Sequence, residues 1–408
     1  MNTKLQKQRI LDLAIHGRLV PQNPDDETVD GQPFALPKDW KWVKFGDIGK
    51  VVTGSTPSKS NNEFYNGEYP FYKPTDLEQG INTIKSSDSL TEKGYNAARQ
   101  LPKYSILVTC IGATIGKTGL IHKEGSCNQQ INAIIPNNNL DSKFIYYTCT
   151  SNFIQDLIKS NASATTLPII NKNGFSKLPF PLPPLAEQHR IVSAIEKWFS
   201  LIDEIETNKE SLQAAIKQTK SKVLDLAIKG KLVKKTAEWK TVTLGEIGKW
   251  QAGCTPSRGH KEYYGGEIPW LKTGDLNDGF ITEIPEHITQ LGLDKSSAKL
   301  NPKDSVLIAM YGATIGKVGI LTFPAATNQA CCACTEYKDV DKMYLFYFLL
   351  SHRDVFISQG GGGAQPNISK DIIVKTSIPL PPLAEQTRIV SKIEEVFALL
   401  DEIERELE

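Results

Sequence analysis

Between residues 184 and 230 the apolar positions recur in alternating steps of four and three. Ile191, Ile195, Trp198, Ile202, Ile205, Leu212, Ile216, Val223 and Leu226 keep this register, and only Lys209 and Thr219 interrupt it. A seam held over about five heptads predicts one long coiled-coil helix rather than an ordinary surface helix. Pro181, Pro183 and Pro184 precede it, where proline is tolerated at the entry to a first turn. Glu187 falls in that turn and suits the helix dipole. Lys229 and Gly230 mark the end. At 1.5 Å per residue the rod is roughly 60 Å long.

The flanking regions follow another pattern. Short β-rich runs such as Ser105 to Ile111 and Ser305 to Tyr311 lie between glycine and proline turns, and helical stretches follow at Lys143 to Lys159 and Val340 to Gln359. These regions are two copies of one another. Trp40-Lys41, Gly46 to Lys50, Gly54 to Lys59 and Gly67 to Phe71 recur 199 residues later as Trp239-Lys240, Gly245 to Lys249, Gly253 to Arg258 and Gly266 to Trp270. Gly112 to Lys117 and Asn128-Gln129 recur 200 residues later, and Pro181 to Gln188 recurs unchanged as Pro379 to Gln386. The long helix exists once whole and once split between the chain ends. Ile10 to Ile15 resembles Val223 to Ile228, and Arg388 to Ile403 resembles Arg190 to Ile205, so that Ile389, Ile393, Val396, Leu400 and Ile403 continue the seam.

The expected fold is therefore mixed α/β. Two tandem α/β domains are separated by a long antiparallel coiled coil with pseudo-two-fold organisation. A helical segment over 1–20 pairs with the central helix. The first domain spans 21–183, the spacer helix 184–233, the second domain 234–381 and a C-terminal helix 382–408. Charge chooses the pairing. Lys4, Lys7 and Arg9 face the acid-rich first half of the central helix (Glu196, Asp203, Glu204, Glu206, Glu210). The acidic C-terminal helix (Glu394, Glu395, Asp401, Glu402, Glu404, Glu406, Glu408) faces the basic second half, with Lys217, Lys220, Lys222 and Lys229.

Composition narrows the function. Hydrophobic content of 40% and charged content of 23% over 408 residues are those of a soluble globular protein of two or three domains. A net charge of +1 excludes a broadly basic binder but leaves room for a local basic groove. Met1 to Ile10 has no apolar core of a signal peptide, no apolar run approaches 18 residues, and an odd seven cysteines suit reduced thiols. A cytoplasmic protein is expected.

No catalytic motif survives inspection. Gly112 to Thr118 is one residue short of a phosphate loop, and its second copy has Val318 where a magnesium-binding hydroxyl is needed, so a strand–turn–strand is expected. Cys331 and Cys334 form a lone C-x-x-C, but Ile131 and Ile134 stand at the matched positions and argue for a buried strand. The six histidines have no ligand-like spacing. There is neither a nucleophile elbow nor an amino-methyltransferase tetrapeptide. The glycine run 360–363 reads as a surface loop. What remains is a polar, partly basic face in each domain: Ser58, Lys59, Lys73, Thr75, Lys117 and Gln129 in the first, Ser257, Arg258, Lys272, Thr273, Lys317 and Gln329 in the second. Lysine and arginine position phosphates and read guanine, while glutamine reads adenine. A protein-binding adaptor with two interaction domains is the alternative.

These motifs resemble one family. The tandem domains, each closing on Pro-Leu-Pro-Pro-Leu-Ala-Glu-Gln before a coil, are similar to the DNA-specificity subunit of type I restriction–modification systems. So are the Leu-Asp-Leu-Ala-Ile-x-Gly-x-Leu-Val stretches at Leu11 to Val20 and Leu224 to Val233, the Gly-x-Thr-Pro-Ser-Lys/Arg turns, and Gly-Ala-Thr-Ile-Gly-Lys. The resemblance implies that each domain, a target recognition domain, reads one half of a bipartite double-stranded DNA site, and that the paired helices set the spacer. It implies two methyltransferase (modification) subunits, which bind S-adenosylmethionine and methylate adenine N6, and restriction/translocase subunits that use ATP and Mg. It also implies that this chain carries no cofactor and has no activity alone. The family's motifs do not hand over base-contacting residues.

Overall fold

The computed structural model describes residues 2–21, 28–29, 33–163, 167–360 and 367–407; residues 361–363 of the glycine run and Glu408 lie outside the described residues. The chain divides into two compact units, Met1–Asn208 and Lys209–Glu408.

In the first unit, four antiparallel strands stand in the order Gly49–Thr53, Ile131–Pro136, Ile106–Thr109, Thr118–Leu120. The two sheet faces carry alternate residues. Ile106, Val108 and Ile134 join one core with Phe144, Ile145, Ile154 and Ile158. Leu107, Ile131 and Ala133 join a second with Tyr72 and Leu101. A three-stranded sheet, Asp88–Leu90, Tyr65–Tyr72 and Ser126–Cys127, has a parallel pair at Phe71 and Ser126. The strand Pro179–Leu182, inside the proline-rich motif, pairs with Lys41–Lys44 just before the long helix begins.

The second unit repeats this plan. Its five-stranded sheet runs Gly248–Ala252, Cys331–Tyr337, Val306–Ala309, Val318–Leu321, Gly279–Ile281. Its smaller sheet runs His287–Ile288, Tyr264–Leu271, Ala325–Thr327, Leu300–Asn301, and Lys240–Thr243 pairs with Ser377–Leu380. Each single helix expected after the sheet is two helices. Ser142–Thr150 and Asn152–Ser160 part at Ser151, which is extended and whose hydroxyl caps Ile154 N. Lys342–Ser351 and Arg353–Gln359 part at His352. A capping serine offers the backbone an alternative partner and ends the first helix.

The long helix spans Leu185–Ile228, 44 residues. It ends in a left-handed glycine: Gly230 has φ +66°, its amide donates to Ala227 O, and the Lys231 amide donates to Leu226 O. The N-terminal helix, Thr3–Ile15, ends the same way, with Gly17 also at φ +66°, Gly17 N donating to Ala14 O and Arg18 N to Leu13 O. Both are Schellman caps, which only glycine adopts without strain.

Within the first unit the N-terminal helix lies antiparallel to the start of the long helix. Lys7 pairs with Asp203, and Thr3 Oγ1 donates to Glu206, 3.0 Å. Leu11 and Ala14 bury against Ile191, Val192 and Ile195. Within the second unit the C-terminal helix, Leu383–Glu406, pairs antiparallel with the end of the long helix: Lys220 meets Asp401 and Glu404, while Val223 and Ala227 share a core with Ile389 and Ile393. The charge-based pairing holds in both.

The seam itself needs correction. Ile191, Ile195, Ile202, Ile216, Val223, Ile389 and Ile393 are buried, and Leu226, Val396 and Leu400 are half-buried. Trp198, Ile205, Leu212 and Ile403 are instead exposed, at 49, 51, 41 and 42%. In four heptads the inward position lies one residue later, with half-buried Phe199, Gln213 and Lys220 and buried Ala227 following exposed Trp198, Leu212 and Thr219 and half-buried Leu226, whereas Ile205 and Glu206 are both exposed. Two apolar columns lie side by side on this helix, about 100° apart. Aromatic packing selects the inner one: Phe199 meets the Tyr147 ring at 5.8 Å, and the matched Phe397 meets Tyr347 at 5.9 Å.

Candidate nucleic-acid interface

The Thr-Pro-Ser turns are clamped onto the strands behind them. At Gly54 a Cβ would stand 2.2 Å from Asn128 O, and at Gly253 one would stand 2.1 Å from Thr327 O, so only glycine lets the turn approach this closely. The Thr56 hydroxyl donates to Gln129 Oε1, 2.6 Å, and Thr255 donates likewise to Gln329. The Tyr65 hydroxyl donates to Pro57 O, 2.6 Å, and Tyr264 donates to Pro256 O. Burial raises both phenols above their usual range. The next loop is joined to the same place, since Asn128 N donates to Tyr72 O at 3.1 Å and Asn328 N to Leu271 O at 2.9 Å. Three segments thus converge in each unit, and they carry most of the expected residues.

In the first unit Ser58, Lys59, Thr75 and Gln129 are exposed there, with Ser58 Oγ 2.8 Å from Ser60 Oγ. Lys59 makes no ion pair among the described residues, whereas Lys73 Nζ lies 2.6 Å from Asp88. In the second unit Ser257, Arg258, Lys272 and Gln329 are exposed and Thr273 half-buried. Arg258 pairs with Glu286, and Lys272 Nζ reaches the other oxygen of that carboxylate at 2.9 Å. The Arg258 guanidinium lies 4.3 Å from the Tyr264 ring centre and 5.1 Å from that of Trp270. Trp270 is fixed in turn, its indole N–H donating to Cys254 O at 3.0 Å. The hydrogen bond from Arg258, then that from Lys272, holds the Glu286 carboxyl below the usual carboxylate range despite its partial burial.

Lys117 and Lys317 are not tied into this convergence. Lys117 bonds Glu78, 2.8 Å, and Lys317 is half-buried with no ion pair among the described residues. Their loop is the expected strand–turn–strand. Ile115, Gly116 and Lys117 amides donate to Gly112, Thr109 and Thr114 carbonyls, so the turn spends them on itself instead of leaving a phosphate cradle. Gln155 Nε2 holds Gly116 O at 2.8 Å and Arg353 Nε holds Gly316 O at 3.0 Å. Cys331 and Cys334 point to opposite faces of their strand and enter different cores, as do Ile131 and Ile134. Burial pushes the Cys334 thiol up to about 12. Among the described residues no group of three His, Cys, Asp or Glu could hold a metal ion, and no helix is long and apolar enough to cross a membrane.

Asp88 and Glu286 were absent from the expected set. A signal was present: they stand two residues before Leu90-Thr91 and Ile288-Thr289, whose threonines cap matched helices. The repeated Pro-Pro-Leu-Ala-Glu-Gln also acquires a task. Gln188 Nε2 donates to Pro183 O, 2.9 Å, while its Oε1 accepts Asp141 N, 3.0 Å. Gln386 Nε2 donates to Pro381 O, 2.8 Å, and Asp339 O, 2.9 Å, and its Oε1 accepts Asp341 N, 2.7 Å. Each glutamine bolts a coil helix to the domain before it. Glu187, expected as a dipole partner, is buried, as is Glu385. Glu385 accepts hydrogen bonds from Thr236 Oγ1, 2.9 Å, and Trp239 Nε1, 3.1 Å.

The family model described as type I restriction modification DNA specificity domain matches residues 37–214 and again 236–408. The chain belongs to that family, as a tandem of two such domains with the long helix between them. The EcoDI specificity subunit of Escherichia coli is 26% identical over 405 residues, covering 91% of this chain and 84% of that one. The MjaIX specificity subunit of Methanocaldococcus jannaschii is 25% identical over 331 residues, covering 77 and 76%. Two solved structures share the fold. One, from work on complex assembly and conformational transition of a type I R-M system, has TM-score 0.72 at 19% identity and covers 92% of this chain and 94% of its own. The other, the HsdS subunit from Thermoanaerobacter tengcongensis, has TM-score 0.62 at 20% identity and covers 93 and 96%.

Proposed function

We propose that the chain is the non-catalytic specificity subunit of a cytoplasmic type I restriction–modification complex. Each unit reads one half of a bipartite duplex site. The coil helices carry two modification subunits, which use S-adenosylmethionine to methylate adenine N6. Restriction subunits that consume ATP with Mg complete the assembly, and this chain holds no cofactor of its own.

The observation that carries the reading is one hydrogen-bonded loop framework used twice with different polar side chains on it. Thr56–Gln129 and Thr255–Gln329 are the same clamp, but Lys59 stands on one turn and Arg258 on the other. An invariant frame with variable donors suits two different DNA sequences, since phosphate contacts position a reader and side-chain donors in the grooves specify it. Division of labour also follows from the chemistry. An adenine must be flipped from the duplex to be methylated, so the reader must leave that base to a separate enzyme.

The test is sequencing of methylated adenines in cells carrying the chain with its modification subunits. One bipartite methylated motif dependent on the chain is expected. A methylome that is unchanged when the chain is deleted removes the proposal.

A further inference from the structure

The second unit's cluster around Glu286 is more than a surface ion pair. One carboxylate is shared by two cations on two different loops, Arg258 on the Thr-Pro-Ser turn and Lys272 on the loop after Tyr264–Leu271. Glu286 is itself anchored, because its carbonyl accepts the Trp270 amide at 2.8 Å. The Arg258 guanidinium lies over two rings, which hold its position while more than half of the side chain remains exposed. Among the described residues, only Nη1 of its fork is engaged, by Glu286. A guanidinium presents five donors in a rigid fork, and two of them match the N7 and O6 acceptors of guanine in the major groove. The position is set in advance, but one donor of the fork is occupied by the protein's own carboxylate.

We infer that Arg258 reads a guanine in the half-site of the second unit, and that Glu286 is an internal placeholder whose carboxylate occupies the acceptor position until guanine replaces it. The exchange makes recognition conditional. On a sequence without the guanine, Arg258 keeps Glu286, and the carboxylate repels the DNA backbone. On the right sequence the fork turns to the base and Lys272 is released toward a phosphate. The first unit lacks this device on its turn, where Lys59 is exposed with no ion pair among the described residues. A lysine there is a point charge suited to phosphate rather than a fork suited to a base.

The inference rests on the proposed DNA-reading function, and the two fail differently. The complex of this chain with its modification subunits is assembled as wild type, R258K and E286Q. Methylomes and binding to random-sequence duplex across a salt series are then recorded. If the wild-type complex gives no bipartite motif, the proposed function fails. If it does, R258K is expected to keep its affinity for random duplex within about twofold while its methylated motif becomes degenerate at one G·C pair of one half-site, because a bidentate contact discriminates by about tenfold or more. E286Q is expected to keep the motif but bind random duplex several-fold more tightly, with a salt slope steeper by about one. An unchanged motif in R258K, or uniform loss on all sequences as for a phosphate contact, overturns the guanine assignment. An unchanged random-duplex affinity and slope in a folded E286Q overturns the placeholder. R258K keeps the positive charge, so it decides the guanine assignment even if E286Q does not fold.

Discussion

Lys220 Nζ lies 2.6 Å from Asp401 and 3.1 Å from Glu404, so one lysine of the long helix holds two acids of the C-terminal helix. Partial burial works against its charge, yet the two carboxylates raise its pKa above the ordinary lysine value. Because all three groups are partly exposed, the triad contributes only about 1 kcal/mol. Lys220→Glu should lower the unfolding free energy by about that amount, and Asp401→Lys in the same chain should recover most of it. A double-mutant cycle by denaturant unfolding of the purified complex measures the coupling. A coupling indistinguishable from zero would show that the helices pair through apolar contacts alone.

The exposed column of the coil predicts where partners attach. Trp198, Leu201 and Ile205 stand exposed on the long helix, and Leu399 and Ile403, 198 residues on from the last two, stand exposed on the C-terminal helix. An apolar stripe repeated at matched positions is unfavourable in water unless something covers it. As part of the proposed function, these are the seats of the modification subunits. Trp198→Asp and Ile205→Asp together should weaken association of a modification subunit by about 100-fold or more, since a buried tryptophan anchor is commonly worth 2 kcal/mol or more. The melting temperature of the isolated chain should barely change. Gel filtration of co-expressed subunits gives the first readout and thermal unfolding the second. Retention of the full complex would move the seat elsewhere.

Glu385 predicts a pH dependence. Burial opposes its charge, but hydrogen bonds from Thr236 and Trp239 outweigh that and lower its pKa below the ordinary glutamate value. With the folded pKa depressed, its contribution is fully present above the unfolded value near pH 4.5 and disappears as pH falls through the lower folded value. The stability of the second unit should therefore drop in acid below about pH 4.5. Glu385→Ala strands three donors, the Thr236 amide and hydroxyl and the Trp239 indole N–H, and should cost about 3 kcal/mol at neutral pH. It should also remove its share of the acid-dependent drop, as denaturant titrations at several pH values would reveal. A variant that keeps the full acid dependence would assign it to other carboxylates.

How far the fold was legible depended on whether the information was local. Gly230 and the prolines before Leu185 mark the long helix to within two residues, because caps and breakers act on their own backbone. The duplication and the charges gave the antiparallel pairing. The choice between Trp198 and Phe199 was not legible: both are apolar neighbours, and the decision rests on Tyr147, some 50 residues earlier, whose ring meets Phe199. The Thr-Pro-Ser turns are visible as motifs, but recurrence does not separate Lys117 and Lys317 from them, because it reports duplication and not position in space. Asp88 and Glu286 are not legible as site residues from the sequence, because their partners Lys73, Arg258 and Lys272 lie on other segments and meet them only in the fold.

The middle of the long helix gives the last prediction. Around Lys209 the inward column is polar, with Lys209 and Gln213 half-buried and Asn208 and Ser211 exposed, whereas the apolar packing lies at Ile191 to Ile202 in one unit and Ile216 to Ala227 in the other. Seven residues inserted after Lys209 should therefore disturb neither core. Seven residues turn the helix by almost two full turns, leaving faces about 20° out of phase, and add about 10 Å. Base pairs rise about 3.4 Å each, so if the helix sets the distance between half-sites the methylated motif should gain about three spacer positions. Both half-sites should remain unaltered, because the loops that carry Lys59 and Arg258 are untouched. The control is exchange of residues 21–183 for another recognition domain, which should change one half-site and leave the spacer. Methylome sequencing of both variants separates the roles. An insertion that leaves the spacer as it was would mean that DNA bending, rather than helix length, sets the separation.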